Sequence, residues 1–181
     1  MKIFNSFIYC LRPLFLSLIC CFLVPIPQAR GQYDINILKA AYIERITRFI
    51  EWPDNKRDTV KFRIGVYANA EFADVLANTL KERPIKGRLV EVNIISDLRK
   101  INNYDLCYFE NINEAQIKDI IFTANKEGIL IFTNETKFGK KGGHINFYVE
   151  DNKLKFEINY SSLTEGNFRT SYILLSNSKV I

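Results

Sequence analysis

Between Val60 and Thr133 the apolar residues change period repeatedly, from every second position to every third or fourth, and no other feature constrains the fold as tightly. Val60, Phe62, Ile64 and Val66 alternate as a strand; Phe72, Val75, Leu76 and Leu80 then step as a helix that Asn69 opens and Arg83-Pro84 closes. From Arg88 to Ile95, Val90, Val92 and Ile94 alternate with Glu91 and Asn93, so this strand has one polar face and is expected near a sheet edge. Ser96 is expected to cap a short turn running through Ile101. Leu106 to Phe109 is apolar on both faces, Asn113 caps a helix carrying Ile117, Ile120, Ile121 and Ala124, and Gly128 ends it. The run Ile129 to Thr133 is apolar without alternation, as a strand covered on both sides must be. Strands separated by helices of this length predict an α/β fold: a single three-layer domain with a mostly parallel sheet and flanking helices.

The flanking segments complete the expectation. Ahead of the first strand, Ile35, Leu38, Tyr42, Ile46 and Phe49 fall on one helical stripe, with Arg45, Thr47, Arg48 and Glu51 largely outside it. Asp34 caps this helix and Pro53 is expected to stop it at Trp52, the single tryptophan, which together with Pro53 is read as a structural anchor. After the last parallel strand, Gly142 and Gly143 form a tight turn into a C-terminal antiparallel hairpin, in which Ile145, Phe147 and Val149 match Leu154, Phe156 and Ile158 across a polar turn. The opposite face of that hairpin carries His144, Asn146, Tyr148, Lys155, Glu157 and Asn159, a polar row expected on the sheet's antiparallel edge. A last helix is expected over Phe168 to Val180, with Phe168, Tyr172 and Leu175 in the core.

Residues 1–31 have a different character. They carry Lys2, Arg12 and Arg30, no acidic residue, and an apolar run from Leu14 to Val24 that is short for a bilayer span but suited to a secretory signal peptide. Cleavage is expected between Gly31 and Gln32, leaving a domain over 32–181 in the periplasm. Losing that segment leaves 22 of the 25 basic residues against 20 acidic ones, so the basicity belongs mostly to the leader. A nearly neutral domain has no electrostatic footprint for nucleic acid. Three of the four cysteines leave as well, so Cys107 has no partner for an internal disulfide and stability must come from the core.

Catalytic chemistry finds few reagents. His144 and Cys107 would form a thiol–imidazole pair only by meeting in space, and the ordinary state of a thiol inside an apolar strand is buried and inert. One histidine and one cysteine fall short of a metal-ligand set. Gly139, Gly142 and Gly143 lack the spacing of a phosphate-binding loop. No catalytic residue, metal or cofactor is therefore assigned.

The segments Y-I-E-R-I-T-R-F-I-E-W-P (42–53), F-R-I-G-V-Y (62–67), G-G-H-I-N-F (142–147) and F-E-I-N (156–159), in this order, resemble the YfiR family of periplasmic proteins, over nearly all of Asp34 to Ile181. The resemblance implies a non-enzymatic regulator that inhibits an inner-membrane signalling protein through its periplasmic region. In the type member that protein is a diguanylate cyclase, the enzyme that makes cyclic di-GMP; a sensor kinase is the other target class considered. An outer-membrane lipoprotein and a second copy of the chain are further expected partners. The type member has disulfides, whereas 32–181 holds Cys107 alone, so redox control by disulfide is not expected.

Two function classes follow. For a contact regulator, the expected partner-binding residues are Glu157 above all, then Asn159, Asn146, Tyr148 and His144 on the hairpin's polar face. For the alternative, a periplasmic small-ligand-binding or sensing protein associated with transport, the site is the crevice beyond the carboxyl ends of the parallel strands, near Tyr67-Ala68-Asn69 and Glu110-Asn111.

Overall fold

The computed structural model describes residues 34–54 and 60–181; the expected signal peptide, 1–31, and its cleavage site lie outside the described residues. The chain runs α1 (Ile35–Thr47), β1 (Ile50–Glu51), β2 (Lys61–Tyr67), α2 (Ala70–Leu80), β3 (Leu89–Ile94), a 3-10 turn (Leu98–Asn103), β4 (Leu106–Phe109), α3 (Glu114–Glu127) and β5 (Leu130–Thr133). It continues with α4 (Thr136–Lys140), β6 (Ile145–Glu150), β7 (Lys153–Ile158), α5 (Tyr160–Glu165), β8 (Arg169–Thr170), α6 (Tyr172–Ser176) and β9 (Lys179–Val180).

Seven strands form one sheet in the order β3-β2-β4-β5-β6-β7-β9. The pairs from β3 to β6 are parallel, β6 and β7 make the antiparallel hairpin, and β9 returns parallel to β7. The two-residue pleat sends Leu106 and Tyr108 into the core beneath α1 and α2, and Cys107 and Phe109 into the core beneath α3. All residues of β4 and β5 are buried, which is why both read as unbroken apolar runs. Each fully buried Leu, Ile or Phe contributes on the order of 1.5–3 kcal/mol, so burial in these two cores is a main source of the domain's stability.

Local chemistry sets several boundaries as expected. The Asn69 side chain accepts from Phe72 N–H at the start of α2, Asn113 accepts from Ala115 N–H at the start of α3, and Gly128 closes α3 with φ 63°. The cap after β3 is Asp97 rather than Ser96, its carboxylate accepting from Arg99 N–H.

Four expectations are corrected. The first helix ends at Thr47, not Trp52, because Arg48 and Phe49 N–H tighten onto the carbonyls three residues back and Ile50-Glu51 pair with Thr170-Arg169 as a separate two-stranded ladder. Its covered stripe is also rotated: Lys39, Ala40, Ile43 and Ile46 are buried, Thr47 is buried with them, and Ile35 is exposed. The segment 168–180 is not one helix. Ser171 N–H bonds to Phe49 O, the Ser171 hydroxyl caps the five-residue α6, and Lys179-Val180 then add to β7, which leaves Tyr172 82% exposed instead of in the core. The hairpin is therefore not the sheet's edge along its whole length, since β9 covers Glu157 and Ile158.

Candidate functional site

The polar row of the hairpin is turned inward. Asn146 and Glu157 are opposite each other in the β6–β7 register, and both are shut from water, at 1% and 3% exposure. Asn146 Nδ2 donates to Glu157 Oε1 at 2.9 Å, and Lys179 Nζ, arriving on β9, donates to Glu157 Oε2 at 3.1 Å. What covers them is α4, a helix absent from the sequence reading. Gly139 lies so close that a Cβ there would meet Asn146 Cβ at 3.0 Å, and a Cβ at Gly143 would meet the Phe138 carbonyl oxygen at 3.1 Å. Gly142 holds φ 114°, a conformation that side chains resist. The one sequence signal for α4 is Phe138, a large apolar residue in a lysine- and glycine-rich stretch, and it is fully buried.

The other members of the row also serve the fold. Asn159 accepts from Ser162 N–H to cap α5 and donates to Gly139 O at 3.1 Å. His144 is wholly buried: its Nδ1 accepts from Ile131 N–H at 3.0 Å, which leaves the proton on Nε2 to be donated to Asn125 Oδ1 at 2.9 Å. Burial pushes its pKa down to about 3, so it is a neutral structural imidazole. Tyr148 is half-buried under the Lys179 ammonium, and Lys155, paired with Glu150, is half-buried as well. The expectation that this row is exposed, with Glu157 at its centre, is thus corrected by burial beneath α4 and β9.

At the carboxyl ends of the parallel strands, β2 continues to β3 on one side while β4 and β5 extend on the other, so the chain order reverses between β2 and β4. Two positive-φ residues, Ala68 at 61° and Asn111 at 51°, turn the chain away there. The crevice between them is filled. Lys39 reaches in from α1, beside the packed rings of Phe72 and Tyr108, and its ammonium donates to Tyr108 Oη at 2.9 Å and Glu110 Oε1 at 3.0 Å. Tyr108 Oη donates to the same carboxylate, as do Asn69 Nδ2 at 2.8 Å and Asn134 Nδ2 at 2.9 Å. Burial pushes the Glu110 carboxyl up, but hydrogen bonds from Tyr108, Lys39 and Asn69 and the Lys39 charge outweigh it and hold it below the usual value. Burial, then the neighbouring Glu110, holds the Tyr108 phenol protonated well beyond its usual range. The sequence reading placed Asn69 and Glu110 at this crevice and missed Lys39 and Tyr108; the lysine within an otherwise buried helical stripe is the signal that marks it.

Open concavities among the described residues include two. One, of about 480 Å3, lies beside Trp52, Pro53, Phe168 and Arg169. Trp52 meets Phe62 and Phe168 edge-on, with ring centres 5.3 and 5.9 Å away, and its Nε1–H donates to Asp105 O at 3.1 Å. The other, of about 390 Å3, is a groove between α1 and α6.

The sequence profile of the YfiR/HmsC-like proteins matches residues 36–179. The chain belongs to this family. No curated protein matches it. Among solved structures, the YfiR/HmsC-like chain is similar to a conserved domain protein from Vibrio cholerae O1 biovar eltor, at 12% identity and a TM-score of 0.56, covering 80% of this chain and 59% of that one. It is also similar to an ABC domain in complex with L-Trp from Streptococcus pneumonia, at 12% identity and a TM-score of 0.52, covering 81% of this chain and 60% of that one. The chain thus spans about 60% of the length of these structures, and at this identity they speak for the α/β fold alone.

Membership of the YfiR/HmsC-like family suggests a periplasmic regulator rather than a catalyst. Both ring nitrogens of His144 are committed, so the imidazole has none to offer Cys107, itself fully buried. Among the described residues no group of three or more His, Cys, Asp or Glu side chains could hold a metal, and no helix is long and apolar enough to cross a membrane.

Proposed function

We propose that this YfiR/HmsC-like protein is a periplasmic, non-enzymatic regulator that inhibits an inner-membrane signalling protein by touching its periplasmic region. The observation that carries the reading is the family match over residues 36–179. The resemblance makes a diguanylate cyclase, and so cyclic di-GMP, the first target to test. In the same reading an outer-membrane lipoprotein and a second copy of the chain are further partners. Ligand binding in the strand-end crevice is the weaker reading, since Lys39 already occupies it and Glu110 already accepts from four donors.

Co-purification tests the proposal. The full chain, tagged and expressed in its source cells, should bring down after mild cross-linking an inner-membrane protein with a periplasmic region and a cytoplasmic signalling domain. Recovery of transport components alone would favour the ligand-binding reading, and recovery of no membrane protein would count against contact regulation.

A further inference from the structure

The groove between α1 and α6 combines three features that occur together nowhere else among the described concavities. Its floor is apolar and packed: Ile46 is 2% exposed, Leu174 5% and Phe156 9%, and the Tyr42 ring packs on Phe156 with centres 5.7 Å apart. Its outer wall is apolar and bare, because Ile173 is 61% exposed. Its rim carries Arg45, exposed and with no ion pair to any described residue, whereas Arg48 one turn on is paired with Glu44 and Arg169 with Glu51. No acidic residue lines the groove. A concavity of about 390 Å3 falls within the roughly 300–1,000 Å3 range of binding pockets and receives a large side chain.

We infer that this groove is the docking surface for the membrane partner, and that it receives a segment of the partner's periplasmic region presenting one bulky apolar side chain beside a carboxylate. The inference rests on the reading of the protein as a contact regulator and adds the place and the chemistry. An apolar anchor seated in a desolvated pocket is the part of an interface that carries affinity, and Ile173 and Phe156 offer that pocket. The carboxylate supplies what Arg45 lacks, a partner for a charge-assisted, bidentate pair that fixes orientation. A second copy of this chain is the competing occupant.

The test uses the full chain in envelopes of its source cells, with a photo-cross-linking amino acid at position 173, or at position 122 as control; Phe122 is 71% exposed on α3, across the sheet. Position 173 should give an adduct with a membrane protein and position 122 should not. Arg45→Glu should reduce that adduct roughly tenfold or more, while Arg45→Lys should retain most of it. Ile173→Asp should weaken repression of the signalling output by a similar factor with an unchanged melting temperature, since its side chain stands in water. An adduct insensitive to Arg45→Glu, equal adducts from both positions, or an adduct only with a second copy overturns the groove assignment. If Ile173→Asp and Arg45→Glu repress as well as the wild type, the groove is excluded while contact regulation stands; if the wild type itself gives neither adduct nor repression, both fall.

Discussion

Asn146 and Glu157 face each other across the β6–β7 hairpin, the amide of one donating to the carboxylate of the other at 2.9 Å, with both side chains closed off from solvent. Glu157→Ala removes the acceptor and strands the Asn146 amide together with an Asn146 carbonyl oxygen that already has no hydrogen-bond partner. It should cost about 2–4 kcal/mol in urea unfolding, the sum expected for an orphaned buried donor and a small cavity. A loss under about half a kcal/mol would restore Glu157 to the surface and to the list of contact residues.

Lys39 and Glu110 pin α1 to the strand ends, with side chains only 8% and 13% exposed. Breaking a pair this buried by Lys39→Met should cost roughly 3 kcal/mol, the low end for one partner removed, because Tyr108, Asn69 and Asn134 still donate to the carboxylate. A double-mutant cycle with Glu110→Gln should show coupling above about 1 kcal/mol. Because the native Glu110 pKa is depressed, its stabilisation is present above the ordinary glutamate value of 4.5 and is lost as pH falls through the native pKa. The wild type should therefore lose more stability on acidification below that value than Glu110→Gln does.

His144 sets a second pH dependence at higher pH. Its folded pKa of about 3 lies below the ordinary histidine value of 6.5, so between these values the unfolded state binds a proton that the native state refuses. Stability should be complete above pH 6.5 and decline toward pH 3 by up to several kcal/mol. Urea midpoints at pH 7.5 and pH 5 should differ more for the wild type than for His144→Gln, which keeps a planar polar group with a donor and an acceptor and cannot titrate. Equal differences would remove His144 as the source.

Trp52→Ala should cost about 2–3 kcal/mol, below the 3–5 of a wholly buried aromatic, since Trp52 is half-buried but meets two rings edge-on. Trp52→Phe should recover most of it and lack only the bond to Asp105 O. Chemical denaturation with intrinsic fluorescence replaced by circular dichroism measures both.

What the sequence made legible was what local forces decide. The strand and helix periods from Val60 to Thr133, the caps at Asn69 and Asn113 and the αL glycine at Gly128 are short-range choices, and the parallel sheet follows from them. What it hid depends on contacts between residues distant in sequence. The α4 helix has five residues and β9 has two, too short to announce themselves by period, and each exists because Phe138 or Lys179 finds a partner elsewhere. Those two elements are what cover Glu157, so a row that alternates like a solvated face is an interior one. Lys39 escaped for the same reason: its acceptors, Tyr108 and Glu110, lie 69 and 71 positions away.

Contact regulation of a membrane signalling protein is tested most directly by cyclic di-GMP in source cells lacking this gene, with and without the full chain restored. Loss of the gene should raise cyclic di-GMP several-fold, and restoring the wild-type chain should return it to the starting level. Cyclic di-GMP unchanged by deletion and by restoration would contradict inhibition of a diguanylate cyclase.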